Sequence, residues 1–122
     1  MTETMWKLPF PSSGTDSPKF QKLLRRECML LIADEDARAV KLLFDGVEAF
    51  RCTYHHACTL EMIKAYDKVI DRGETEWLNS IKLRLAEYND STTELRHLMI
   101  YFDDGPCYEF ICRSFRVEGV EL

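Results

Sequence analysis

Between residues 52 and 58 the chain reads Cys-Thr-Tyr-His-His-Ala-Cys, which places two thiols and two imidazoles within seven residues. Such side chains can bind a metal ion or form a nucleophile–base pair. Zinc takes four ligands at about 2.0–2.3 Å in a tetrahedron. On a strand, Cys52, Tyr54, His56 and Cys58 share one face and His55 takes the other. Positions two apart on a strand are roughly 6.6 Å apart and positions four apart roughly 13 Å. His56 and Cys58 can therefore share one ion, whereas Cys52 cannot easily join them. No CxxC or HxxxH element supplies a second half-site. The expectation is no metal and no cofactor, with Cys52 a core residue and the histidines near a strand end.

Cys58 directly precedes Thr59, which is placed to cap a helix, and helix N-termini favour thiolates. His56 is close enough to act as its base. Nucleophilic catalysis also needs an orienting partner, an oxyanion hole and a pocket, and the sequence carries no signature of these. A small buried thiol at a strand–helix junction is the preferred reading of Cys58. His97, in Glu-Leu-Arg-His-Leu-Met-Ile-Tyr-Phe, reads as a strand histidine on a polar face or hydrogen-bonded in the core. His56, Cys58 and His97 are the residues an enzymatic or ligand-binding pocket would use.

The acidic residues offer a different chemistry. Asp34, Glu35 and Asp36 fall in one polar turn and Asp103 and Asp104 in another. Aspartates favour turns for local hydrogen bonding alone, and neither group has the D-x-D-x-D-G spacing of a calcium loop. At an accessible sheet end, these five carboxylates would attract a basic protein surface and discourage acidic ones. They are the expected partner-binding residues, and no residue is assigned a catalytic role. G-x-x-x-x-G-K-[ST], G-x-G-x-x-G and G-x-S-x-G motifs are all absent, and the five glycines are too scattered to cradle a phosphate.

Bulk properties narrow the classes further. A chain of 122 residues suits one domain, and 46% hydrophobic with 30% charged residues is ordinary globular composition. The net charge of −5 opposes binding to nucleic acid and to anionic membrane surfaces. No apolar run approaches the roughly 20 residues of a membrane span. The first residues lack a signal-peptide pattern, and five cysteines are an odd number for a disulfide framework. Reduced thiols and a cytoplasmic location follow as expectations.

The elements that must position these residues come from hydrophobic periodicity. Residues 1–19 read as an irregular arm that Trp6 and Phe10 can pin to the core, and residues 20–122 as a single α+β domain. Leu24, Cys28, Leu30 and Ile32 alternate as one strand, and Val40, Leu42 and Phe44 as a second. Asp45-Gly46 is a two-residue hairpin signal. It makes 47–56 a third antiparallel strand, the alternative being one bulged strand over 38–56. Leu60, Ile63, Tyr66, Val69 and Ile70 have helical spacing, with Thr59 as cap and Gly73 as terminator. Trp77, Leu78, Ile81 and Leu85 give a second helix, ended by Asn89, Asp90 and Ser91. Residues 95–118 form a hairpin turning at Asp103–Pro106. Phe115 and Val117 are out of phase with Tyr108, Phe110 and Cys112. A bulge near Arg113–Ser114 or a strand covered on both faces explains this. The expected order is βββααββ: an antiparallel sheet of about five strands with two helices packed on one face.

The segments "FDGVEAFRCT", "AYDKVIDRGETEWL" and "HLMIYFDDGPCYEFICRSF" resemble parts of small single-domain bacterial α+β proteins, some of which are encoded beside toxins and act as immunity proteins. The resemblance spans about residues 20–118. It rests on turns and apolar patterns, and it transfers no catalytic residue. It implies a cytoplasmic bacterial binding protein. Together with size, acidity and missing catalytic motifs, it leads to a non-enzymatic interaction protein of the toxin-neutralising kind. Acidic inhibitors suit basic targets because complementary charge speeds association. The alternatives are a small enzyme or ligand-binding domain with a Cys/His pocket, or a structural dimerisation module. Sequence leaves the oligomeric state open.

Overall fold

A computed structural model describes residues 2–36, 38–88, 91–92 and 94–121. Strict alternation in β3 (Cys28–Ala33) buries Cys28, Leu30 and Ile32 and leaves their neighbours half-buried. This strand pairs with β2 (Lys19–Lys22) on one side and β4 (Arg38–Asp45) on the other, and β9 (Ser114–Glu121) completes a four-stranded sheet in the order β2-β3-β4-β9. The second sheet comprises β1 (Glu3–Lys7), β5 (Ala49–Thr53), β6 (Lys68–Asp71), β7 (Arg96–Tyr101) and β8 (Cys107–Cys112), in the order β1-β6-β7-β8-β5. Every strand pair is antiparallel.

The two sheets share one core. Leu30, Ile32, Leu42 and Phe44 from the first meet Leu98, Ile100, Tyr108 and Phe110 from the second. Phe44 and Phe110 stack across the interface with ring centroids 4.0 Å apart. The outer face of the five-stranded sheet carries two helices. Near α1 (Leu60–Ile63), Ala65 and Met62 cover Ile70, Met99, Tyr101 and Cys107. From α2 (Glu76–Ala86), Leu78, Ile81 and Leu85 cover Leu95 and Ile111. Strands β7 and β8 are thus buried on both faces, and this is why their sequences run apolar without alternation.

The expected single sheet of about five strands is therefore corrected to nine strands in two facing antiparallel sheets, counted among the described residues. Three local events produce the difference. First, the arm over residues 1–19 contributes β1, which pairs with β6 at a sheet edge; Trp6 packs on the core against Phe115. Second, the first expected helix stops after one turn. Thr59 caps it as expected, accepting from the Met62 N–H at 3.3 Å. Asp67 then turns left-handed at φ 54°, and Lys68–Asp71 becomes β6. The adjacent apolar pair Val69 and Ile70 serves opposite faces of the sheet, one in each core cluster, which a helix stripe cannot do. Gly73 is left-handed at φ 75°, but it follows a strand.

Third, Asp45-Gly46 does not close a hairpin. It carries the chain from one sheet to the other, so that β5 pairs with β8 and not with β4. The phase break after Cys112 is the return crossing, with Arg113 as a one-residue corner. Phe115 and Val117 pack on the same core as Tyr108 and Phe110, but from the opposite sheet. The hairpin over β7 and β8 and the second helix lie where expected. Asn89 and Asp90, expected to end that helix, lie outside the described residues, as does Ala37 of the β3–β4 turn. No helix among the described residues is long and apolar enough to cross a membrane.

The two crossings hold each other. The Arg113 N–H donates to Asp45 O at 2.9 Å, and the Arg113 guanidinium reaches Gly46 O at 3.4 Å and Glu48 Oε2 at 2.6 Å. Gly46 sits at φ 63°, where a Cβ would lie 2.9 Å from the Arg113 Cβ. Gly46→Ala should therefore cost about 2 kcal/mol or more in unfolding free energy, from the left-handed strain together with the overlap. Gly14→Ala, with nothing within 4 Å of its added Cβ, should stay within about 0.5 kcal/mol. Urea denaturation of the two variants beside the wild type checks both values.

Candidate functional site

The β3–β4 and β7–β8 turns lie at the same end of the sandwich, joined by the Ser12–Pro18 segment. Thr15 forms a bridge with Asp34, and the Ser12 Oγ accepts from the Asp103 N–H at 2.8 Å. All five predicted acidic residues are thereby gathered, and they divide into two groups. Asp34 and Asp103 are built into the turns. The Asp34 carboxylate accepts from the Asp36 N–H at 3.1 Å, the Arg38 N–H at 2.9 Å and the Arg38 Nε at 2.7 Å. Desolvation pushes its carboxyl up, but these bonds and the Arg38 charge outweigh it and hold it below the usual carboxylate range. Asp103 Oδ1 accepts from the Tyr66 hydroxyl at 3.1 Å. Burial and that bond raise the Tyr66 phenol above its ordinary value.

Glu35, Asp36 and Asp104 form the second group. They are exposed and make no ion pair among the described residues, and Asp16 joins them. Sequence reasoning missed Asp16 because it lies far along the chain from both turns, inside a loop with no periodicity; the bridge at Thr15 brings it there. Asp67 adds a further carboxylate. Its Oδ2 accepts from the Ser12 N–H at 3.0 Å, and its buried Oδ1 has no hydrogen-bond partner among the described residues. A polar hollow of about 270 Å³ lies between Ser12–Pro18 and Phe102–Gly105.

Exposed apolar side chains border this end. Gly105 approaches so closely that a Cβ on it would lie 2.9 Å from the His55 backbone nitrogen. The acidic turn is thus pressed against the segment leading into α1. Tyr54 and Leu60 are 76% and 79% exposed there, and Ile63 and Tyr66 are also exposed.

The Cys52–Cys58 stretch is not one extended strand. Strand β5 ends at Thr53, and His55–Ala57 form a single 3-10 turn. His55 Nδ1 lies 2.6 Å from the Tyr101 hydroxyl, while His56 is exposed. The Cys58 thiol donates to the carbonyls of Thr53 and Tyr54 at 3.5 Å each, and burial raises its pKa, opposite to what a nucleophile needs. His97 is not brought to Cys58 and His56; it lies buried beneath α2. No group of three His, Cys, Asp or Glu side chains able to hold a metal occurs among the described residues.

His97 belongs to a buried polar network that sequence reasoning did not assemble. Its Nε2 lies 2.5 Å from Glu109 Oε2, and its Nδ1 lies 2.8 Å from the Thr75 hydroxyl. Glu109 is fully buried and receives Arg51 Nε at 3.3 Å and Nη2 at 3.1 Å. The Arg51 guanidinium also lies over the Trp77 ring, 4.0 Å from its centroid. Thr75 is the N-cap of α2, accepting from the Leu78 N–H at 3.2 Å. The network therefore fastens the start of α2 to the sheet. The available signal was Glu109 itself, a carboxylate inside Cys-Tyr-Glu-Phe-Ile-Cys. A buried charge requires partners, but sequence does not say that β5 supplies one of them.

Burial pushes the Glu109 carboxyl up, but the bonds from His97 and Arg51 and the Arg51 charge outweigh it, leaving it below its ordinary range. Its stabilisation is then fully present above the unfolded value of about 4.3 and is lost as pH falls through the lower folded value. Glu109→Gln should lose about 3 kcal/mol at pH 7, and the gap to wild type should narrow below about pH 4. Denaturant unfolding of both proteins across that pH range checks it.

Comparison with protein-family models, with curated proteins and with solved structures finds no match to this chain.

Proposed function

We propose that this protein is a non-enzymatic binding protein whose acidic end engages a basic surface on a protein partner. The observation that carries this reading is the convergence of both acidic turns on the Ser12–Pro18 segment. Asp16, Glu35, Asp36 and Asp104 are left there without cationic partners among the described residues. Unpaired carboxylates beside exposed Tyr54 and Leu60 combine an attractive field with apolar area to bury. An enzymatic reading draws no comparable support, because His97 and Cys58 have separate structural partners. The resemblance to immunity-type proteins makes a toxin the favoured partner, and a cytoplasmic bacterial setting goes with that reading.

The acidic residues to test are those not built into the turns. Asp16→Asn, Glu35→Gln, Asp36→Asn and Asp104→Asn are combined in one variant that keeps Asp34 and Asp103. Wild type and variant are compared by affinity capture from the source organism, at low and high salt. The expected outcome is a basic partner held by the wild type, released by salt, and bound about tenfold or more weakly by the variant. Equal retention of the same partner by both proteins at low salt would reject the acidic end as the site.

A further inference from the structure

The sandwich has a second distinctive place at its opposite end, on the side where β2 and β5 are the edge strands. Phe20 of β2 packs at a tilt against Phe50 of β5, ring centroids 5.1 Å apart, and marks this side. Beyond them lies an open groove of about 540 Å³, within the roughly 300–1,000 Å³ typical of small-molecule sites. Leu23, Cys28, Val47 and Phe50 form its apolar lining, and Lys22 and Arg26 bring positive charge to it.

The wall of the groove is preformed. Arg25 and Arg26 are consecutive left-handed residues, at φ 59° and 62°, a conformation an unconstrained chain disfavours. Hydrogen bonds hold it: the Val47 N–H donates to Arg26 O at 2.9 Å, and the Leu23 N–H donates to Glu27 O at 2.6 Å. Arg26 is fixed to Glu48 at 2.9 Å. A site held in shape before binding loses less entropy when its ligand arrives.

Charge selects the ligand. The lining carboxylates are Glu27 and Glu48, and each has an arginine from β9 or the adjacent corner: Arg116 on Glu27 at 3.1 Å and Arg113 on Glu48 at 2.6 Å. Within the lining itself Lys22 and Arg26 balance Glu27 and Glu48; Arg113 and Arg116, outside the lining, pair with those two acids, so the surplus is positive and falls at Lys22. Lys22 has no ion partner among the described residues. This surplus sits on a chain whose net charge is −5.

We propose that this groove binds a small amphipathic carboxylate, an acyl chain lying along Leu23, Val47 and Phe50 with its carboxylate at Lys22. The site is separate from the acidic end, so the two readings stand or fall independently. The probe is decanoate below its micelle concentration, with decanol and decylamine as chain-matched controls. Binding is followed by titration calorimetry and by backbone amide shifts in two-dimensional NMR. Decanoate should shift the amides of Leu23, Val47 and Phe50 and bind at least tenfold more tightly than decylamine. The exposed substitution Lys22→Glu should weaken decanoate about tenfold or more and leave decanol unchanged. Leu23→Trp should reduce both by filling the groove. Shifts confined to other residues, no binding, equal affinity for decylamine, or full decanoate affinity in Lys22→Glu would each overturn the proposal.

Discussion

Strand β8 is buried on both faces, and most of the architecture follows from that constraint. Tyr108, Phe110 and Cys112 point into the space between the sheets, while Cys107, Glu109 and Ile111 point to the opposite side. Full burial of one large apolar side chain is worth about 1.5–3 kcal/mol, so both faces need cover. The inner face is covered by β3 and β4, with Phe44 stacked on Phe110. The outer face is covered by α1 and α2. Glu109 is the one charged residue on this strand, and it imposes a further requirement. A buried carboxylate is tolerated only with good partners, and His97, Arg51 and Thr75 form the chain of contacts that meets it. One strand thus dictates the second sheet, the helix layer and the polar fastening between them.

A sandwich of this kind requires the chain to change sheets, and among the described residues it does so three times, between β1 and β2, β4 and β5, and β8 and β9, the last two changes being adjacent. The β4–β5 crossing uses a left-handed glycine and the β8–β9 crossing uses a single residue. Arg113 packs on Gly46 and bonds to its carbonyl and to that of Asp45, so the two corners are in direct contact. This arrangement also places Arg113 and Glu48 beside the groove, so one contact serves both topology and local charge. At the other end of the strands the β1–β2 crossing, through Ser12–Pro18, is bonded to both acidic turns. Asp16, Glu35, Asp36 and Asp104 face solvent there, while Asp34, Asp67 and Asp103 are held by hydrogen bonds to neighbouring groups. The molecule consequently has an acidic end with unpaired carboxylates and an opposite end where arginines compensate their acids.

Sequence by itself determined the local features that depend on near neighbours. Alternation in β3, the hairpin around Asp103–Pro106, the apolar stripe of helix α2 and the Thr59 cap were all legible, because each rests on residues a few positions apart. The acidic turns were legible as turns for the same reason. Tertiary structure alone decided which strands share a sheet. Asp45-Gly46 supports a hairpin or a crossing with the same left-handed residue, and only the pairing of β5 with β8 selects the crossing. Val69-Ile70 fits a helix stripe until β1 and β7 are present to flank it as a strand. The convergence of Asp16 with Asp103, and of His97 with Arg51, likewise spans long stretches of chain. Local propensity is a weak prior that burial overrides, and burial is a property of the assembled layers that no short window of sequence contains.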